Sequence, residues 1–308
     1  MYIYEYEKKQ TEYQINMQDG YKTVQFSAEY KDEKCKANET VHLHIFEPKK
    51  VKGDILFLHG IGRRNIAYLQ WYGKFFARYG YRTTFLILPY HLERSSGLGK
   101  DGEPFFSSEP DECTVLFHNT VKDARRSIDF LETQEGFDPT RLFLVGVSFG
   151  GMLGAMTMAL DKRIKKGCLM ITGGNWRWIN FYSPYAQDIR QQYLTVSNHY
   201  GCRNEETCAK NFRADACAFV KNNFKNINDI FEKSPITCYH YDAISYAPFI
   251  AQPVLIINGI FDKIMPKRAS QELNSLLKNK KIKQIPSGHK SSILFRRIIA
   301  LWIMKYFR

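Results

Sequence analysis

Apolar residues in this chain gather in short unbroken runs: "DILFLHG", "RTTFLILP", "RLFLVGV", "KGCLMIT" and "PVLIING", each bounded by turn-forming residues. Runs of that length without polar alternation predict strands buried on both faces. Helical periodicity fills the gaps between them, at about 65–79, 112–135, 149–161 and 266–279. Strands that alternate with helices imply a mostly parallel sheet with helices on both sides. Upstream, "YKTVQFSAEY" and "TVHLHIFEP" flank the charged turn "KDEKCKANE" and predict an antiparallel hairpin at a sheet edge. A shorter, polar strand in "KIKQIP" brings the expected number to eight.

The alternation breaks once. From Gly173 to about Ala251 there is no convincing buried strand, and "NWRWINFY", "QQYLTV" and "FVKNNFKNINDIF" stand in its place. A structureless loop of that length inside a compact domain is rare. The expected organisation is therefore a core over 1–172, a helical insertion over 173–250 lying across the end of the sheet, and the rest of the core over 251–308. No internal repeat or low-complexity tract interrupts it.

Composition agrees with this picture: 308 residues at 44% apolar and 15% aromatic content suffice for one large domain carrying an insertion. The formal charge is +13, from 44 basic and 31 acidic residues. Its basic residues are spread along the whole chain, which favours solubility and gives no reason to expect a nucleic-acid partner. The start, "MYIYEYEKKQ", lacks the apolar core of a secretion signal and points to the cytoplasm. The closing stretch "SSILFRRIIALWIMKYFR" is broken by Arg296 and Arg297 and is too short to span a bilayer. It is expected as a helix packed on the core, with transient contact to a lipid surface left open.

Seven cysteines are an odd number. Four of them, Cys202, Cys208, Cys217 and Cys238, share one polar stretch, but their spacing is too loose for a zinc site, even with His199. No metal is expected. Reduced thiols are favoured over disulfides, and disulfides in that stretch would point to export. His42 and His44 share one face of a strand and read as its polar side.

The chemistry centres on "RLFLVGVSFGGMLGAMTMAL", where Ser148 sits in the turn between a buried strand and a helix. Gly146 and Gly150 allow the chain to bend sharply there, the geometry of a nucleophile elbow. A serine hydroxyl is a poor nucleophile at neutral pH, so the elbow requires a histidine base and an acid that orients it. "PVLIINGIFDKIMP" places Asp262 just beyond a strand, and "KIKQIPSGHK" places His289 just beyond another. The order Ser, Asp, His fits the arrangement. Charge developing on a carbonyl oxygen needs preorganised donors. The backbone N–H groups of Ile61, in "LFLHGIGRRN", and of Phe149 are the candidates, with Gly60 and Gly62 permitting close approach and His59 holding the loop.

These motifs, "HGIG" at 59–62, "GVSFGG" at 146–151, "NGIFDKIMP" at 258–266 and "SGHK" at 287–290, resemble those of the α/β-hydrolase superfamily, in its serine esterase and lipase-like branch with a cap domain. The resemblance implies a Ser148–Asp262–His289 triad, no cofactor, and a cap after the sixth strand, where the insertion lies. "LPYHLERSSG" departs from the Gly-rich loop of many relatives; Tyr90, His91 and Arg94 there either line the pocket mouth or anchor the loop. Trp176 and Trp178, followed by Phe181 and Tyr182, would offer an aromatic wall to an apolar acyl or alcohol group. The expected activity is cleavage of small-molecule or lipid carboxylic esters through an acyl-enzyme. Thioesterase and peptidase chemistry use the same machinery, and a non-catalytic binding module is the alternative of a different class.

Overall fold

The computed structural model describes residues 3–62, 65–97, 101–195 and 204–308. Among them nine strands, β1 (Gln14–Gln18), β2 (Tyr21–Ser27), β3 (Thr40–Phe46), β4 (Gly53–Leu58), β5 (Tyr81–Ile87), β6 (Leu142–Val147), β7 (Lys166–Met170), β8 (Val254–Gly259) and β9 (Lys280–Ile285), form one sheet. Their spatial order is β1-β2-β3-β5-β4-β6-β7-β8-β9. Strands β4 to β9 all run parallel, and β1 to β3 add an antiparallel meander at one edge. The sheet thus has one strand more than the eight expected. β1 is "QINMQ", exposed at every position, so no buried pattern marks it.

The principal helices of the core are α1 (Ala67–Arg78), α2 (Pro110–Glu132) and α3 (Phe149–Leu160). The described residues between 173 and 250 carry six short ones: α4 (Trp176–Tyr182), α5 (Gln187–Thr195), α6 (Glu205–Cys208), α7 (Ala216–Asn223), α8 (Asp229–Glu232) and α9 (Ala243–Tyr246). Helices α10 (Lys267–Leu276) and α11 (Arg296–Phe307) complete the chain. No described helix is long and apolar enough to cross a membrane.

Unbroken apolar strands serve two cores at once because successive side chains point to opposite faces. Ile55 and Phe57 of β4 pack with Phe76 of α1 and Ile299, Ile303 and Phe307 of α11. Leu56 and Leu58 face the other way, onto Phe117 of α2 and Leu153 of α3. The described residues of the 173–250 segment pack on this second side, and a buried ionic clasp joins Asn175 and Trp176 to Arg213 and Asp242. Asp242 accepts from the backbone N–H groups of Asn175 and Trp176 at 2.8 and 2.9 Å, and Arg213 donates to both Asp242 and the Asn175 side chain at 2.7 and 2.9 Å. Six cysteines, at 35, 113, 168, 208, 217 and 238, are free thiols. Cys202 and His199 lie outside the described residues.

Candidate active site

Parallel strands carry the residues that follow them to one edge of a sheet, and ligands of open α/β sheets bind there, beside the point where the strand order reverses. That point lies at β4, with β5 on one side and β6 on the other. Gly60 and Ile61 follow β4, Ser148 follows β6, Asp262 follows β8 and His289 follows β9.

Ser148 has φ 55° and ψ −120°, a backbone conformation that a non-glycine residue occupies only when its surroundings enforce it. Here its N–H donates to Met170 O at 2.8 Å, while Gly151 N–H and the Thr172 hydroxyl donate to its carbonyl at 2.9 and 2.7 Å. The flanking glycines are sterically obligatory. A Cβ on Gly146 would stand 2.5 Å from Gly150 O, and one on Gly150 would stand 2.2 Å from Leu58 O.

The hydroxyl of Ser148 lies 2.8 Å from His289 Nε2, and His289 Nδ1 lies 2.7 Å from Asp262 Oδ2. The other oxygen of Asp262 accepts from Ile264 and Met265 N–H, both at 2.9 Å. With the carboxylate held from behind, Nδ1 carries the proton that it donates to Asp262, and the lone pair of Nε2 faces the serine. The His289 loop is pinned in turn by the Ser292 hydroxyl donating to His289 O at 2.7 Å.

The loop after β4 is clamped by two buried neutral histidines. His59 donates through Nδ1 to Gly60 O at 2.7 Å and accepts Leu88 N–H at 3.1 Å on Nε2. Burial pushes its imidazole down to about 3. His91 donates through Nδ1 to Pro89 O at 2.8 Å and accepts Gly62 N–H at 3.3 Å, and burial lowers its pKa as well. Gly60 lies against Ser148, since a Cβ on it would be 3.4 Å from Ser148 Cβ. Gly62 N–H is engaged by His91, while Ile61 lines the space beside Ser148. Phe149 begins α3, so its N–H lies ahead of the helical ladder and is free of an intrahelical acceptor.

A cavity of about 70 Å³ opens beside Ser148 and His289. Leu69 and Tyr72 of α1, Met152 of α3, Met170, Ile179 of α4 and Met265 form its apolar wall. Gly60, Ile61 and Phe149 border it, whereas Gly62, His91, Trp176 and Trp178 do not. The expected aromatic wall is therefore corrected. Trp176 is buried against Phe106, Phe117 and Tyr241, and Trp178 donates to Glu272 at 2.7 Å with the guanidinium groups of Arg177 and Arg268 over its ring. Nor do Tyr90 and Arg94 reach the mouth: Tyr90 donates to Asp32 at 2.7 Å, and fully buried Arg94 donates to Asp123 at 2.8 Å. Both anchor the loop. Leu69 and Tyr72 escaped notice because their helical spacing matches ordinary core packing. His44 bonds Glu93 at 2.6 Å, and no group of three metal-ligating side chains occurs among the described residues.

No protein-family model and no curated protein matches the sequence. Solved structures do. The chain is similar to Pyrococcus horikoshii acylaminoacyl peptidase at a TM-score of 0.62 and 14% identity, over 97% of this chain and 41% of that one. It is similar to acetyl xylan esterase 1 from Thermoanaerobacterium sp. JW/SL YS485 at 0.60 and 16%, over 98% and 89% of the two chains. It is also similar to the α/β hydrolase GrgF from Penicillium sp. sh18 at 0.58 and 14%, over 92% and 96%. The chain spans about two fifths of the length of the peptidase. Six parallel strands reversing order at β4, helices on both faces, and these likenesses along nearly the whole chain give the protein the α/β-hydrolase fold.

Proposed function

We propose that this protein is a serine hydrolase that cleaves carboxylic esters with a short apolar acyl group. The observation that carries this reading is the hydrogen-bond chain from Ser148 through His289 to Asp262 at the foot of an apolar cavity. In the mechanism, His289 Nε2 takes the serine proton as Oγ attacks the carbonyl carbon. Negative charge collects on the carbonyl oxygen, toward the N–H groups of Ile61 and Phe149, each donor contributing about 10²–10³ in rate. The imidazolium, steadied by Asp262, then gives its proton to the leaving alkoxide. Water repeats the sequence on the acyl-enzyme with the same base.

Cavity size supports the short acyl group. The space beside Ser148 is about 70 Å³ and is walled by Leu69, Tyr72, Met152, Ile179 and Met265, which favours a small apolar group over a long chain. Ile179, Ser183 and Tyr185 close one side, which supports reading the 173–250 segment as a cap. The neighbouring structures named an esterase and a peptidase share the fold, and the apolar cavity favours the ester reading. The test is hydrolysis of p-nitrophenyl esters from acetate to palmitate, beside the matching p-nitroanilides, by wild type and Ser148→Ala. Acetate and butyrate are expected to exceed palmitate at least tenfold in kcat/KM. Equal rates for the two proteins would remove the nucleophile, and faster anilide cleavage would remove the ester preference.

A further inference from the structure

Basic residues run the length of this chain, but acidic ones stop at Glu272: from Leu273 to Arg308 there are nine Lys and Arg and no Asp or Glu. Lys280, Lys281 and Lys283 lie on the edge strand β9, Arg296, Arg297 and Lys305 lie on α11, which covers the neighbouring face of the sheet beside α1, and Lys283 over Trp302 joins the two elements. Three of them rest on aromatic faces: Lys283 on Trp302 at 5.0 Å, Arg296 on Trp71 at 4.7 Å and Lys290 on Tyr185 at 5.9 Å.

Large apolar side chains are exposed on the same stretch. Scattered single ones need no explanation, but these alternate with the cations along the chain, and one of them adjoins a residue that lines the cavity. Helix α11 buries Ile299, Ile303 and Phe307 and turns Arg297, Ile298, Leu301 and Lys305 to solvent. Leu294, 80% exposed, directly follows Ile293, which lines the cavity. Phe261, 65% exposed, directly precedes Asp262, and its N–H donates to Ser287 O at 2.9 Å, so both residues stand on the rim of the His289 loop.

A helix face that mixes Lys and Arg with large apolar residues suits the boundary between lipid headgroups and acyl chains. We propose that β9, the loop carrying His289 and helix α11 dock on an anionic phospholipid bilayer, with the mouth of the Ser148 cavity beside the lipid surface. Charge complementarity selects this occupant. A second copy of the chain in a two-fold interface would set the cationic patch against itself. Nucleic acid would satisfy the cations but leave Leu294 and Leu301 in water.

The test is co-sedimentation of the full chain with vesicles of phosphatidylcholine alone and of phosphatidylcholine with phosphatidylserine, at low and physiological salt. Binding is expected at least tenfold tighter to the mixed vesicles and weaker as salt rises. Lys281→Glu/Arg297→Glu/Lys305→Glu, checked for folding by circular dichroism, should lose about a hundredfold. Leu294→Ser/Leu301→Ser should lose about tenfold. Ser148→Ala should bind like wild type, so a failure of the hydrolase reading leaves this result intact. Equal binding to both vesicles, an unaffected triple variant, or no sedimentation by a chain that is instead dimeric or shifts duplex DNA would overturn the proposal.

Discussion

The two oxygens of Asp262 do different work, and one substitution separates them. Oδ1 accepts the N–H groups of Ile264 and Met265, while Oδ2 accepts His289 Nδ1–H. In Asp262→Asn the amide oxygen keeps both backbone bonds, which turns its NH₂ toward His289. An amide donor there stabilises the tautomer with the lone pair on Nδ1. The imidazole proton then sits on Nε2, 2.8 Å from the serine oxygen, where it cannot serve as a base. In a serine-protease triad the same exchange lowers kcat about 10⁴-fold, equivalent to about 5.4 kcal/mol at 1.36 kcal/mol per decade. Stability should change by less than about 1 kcal/mol, because no N–H is orphaned. Asp262→Ala, by contrast, orphans two, and should lose about 2–4 kcal/mol of stability along with the activity. The assay pairs kcat on p-nitrophenyl butyrate with the urea midpoint of each protein. An Asn variant that keeps more than about a tenth of wild-type kcat would refute the tautomer argument. Equal destabilisation of the two variants would refute the division of labour between the oxygens.

Gly150→Ala puts a methyl group 2.2 Å from Leu58 O and 2.4 Å from His59 O. Both obstacles are backbone, so α3 and the loop after β4 must part, with a loss of about 3 kcal/mol or more in thermal denaturation and of activity together; a variant with native melting and turnover would show that the elbow has slack. Arg213→Met leaves Asp242 buried without its cation and should cost about 3–5 kcal/mol, with part recovered in Arg213→Met/Asp242→Asn. Burial holds His59 at about 3 and His118 at about 4, against about 6.5 when unfolded. As pH falls through 6.5 the unfolded chain therefore takes up protons that the native state refuses, so stability falls, with a slope that grows to about 2.7 kcal/mol per unit between about pH 5.5 and pH 4. His118→Gln should halve the contribution of this pair to the slope, read from urea midpoints at pH 7 and pH 5; an unchanged slope would place the titration elsewhere.

The parallel strands were legible because burial on both faces demands unbroken apolar runs, and β4 shows why, with Ile55 and Phe57 serving one core and Leu56 and Leu58 the other. Strand β1 was not, since an exposed edge strand has no burial to record. The available signal was local: Asp19-Gly20, with Gly20 at φ 80°, is a two-residue hairpin turn between β1 and β2. The insertion was legible as helical, but the clasp of Arg213, Asp242 and Asn175 that closes it joins residues far apart in sequence. Periodicity holds no trace of such a contact.

The same distinction divides the site. That Ser148, Asp262 and His289 meet could be read because each follows a strand, and parallel strands deliver their successors to one edge whatever the intervening sequence does. Cavity-lining residues obey no such rule. Along α4, Trp176 at the first position packs inward on Phe117, and Ile179, three residues later, reaches the cavity. The "LPYHLER" element is more irregular still, with Tyr90 and Leu92 at φ 61° and 47°. Those turns drive the side chains of His91 and Arg94 inward, where Arg94 meets Asp123 and His91 holds Gly62. A loop whose polar residues resembled a pocket mouth is thus the brace of the β4 loop. In the proposed mechanism its influence on catalysis would run through the position of Ile61 N–H, so residues outside the cavity would set the geometry of the proposed oxyanion donors.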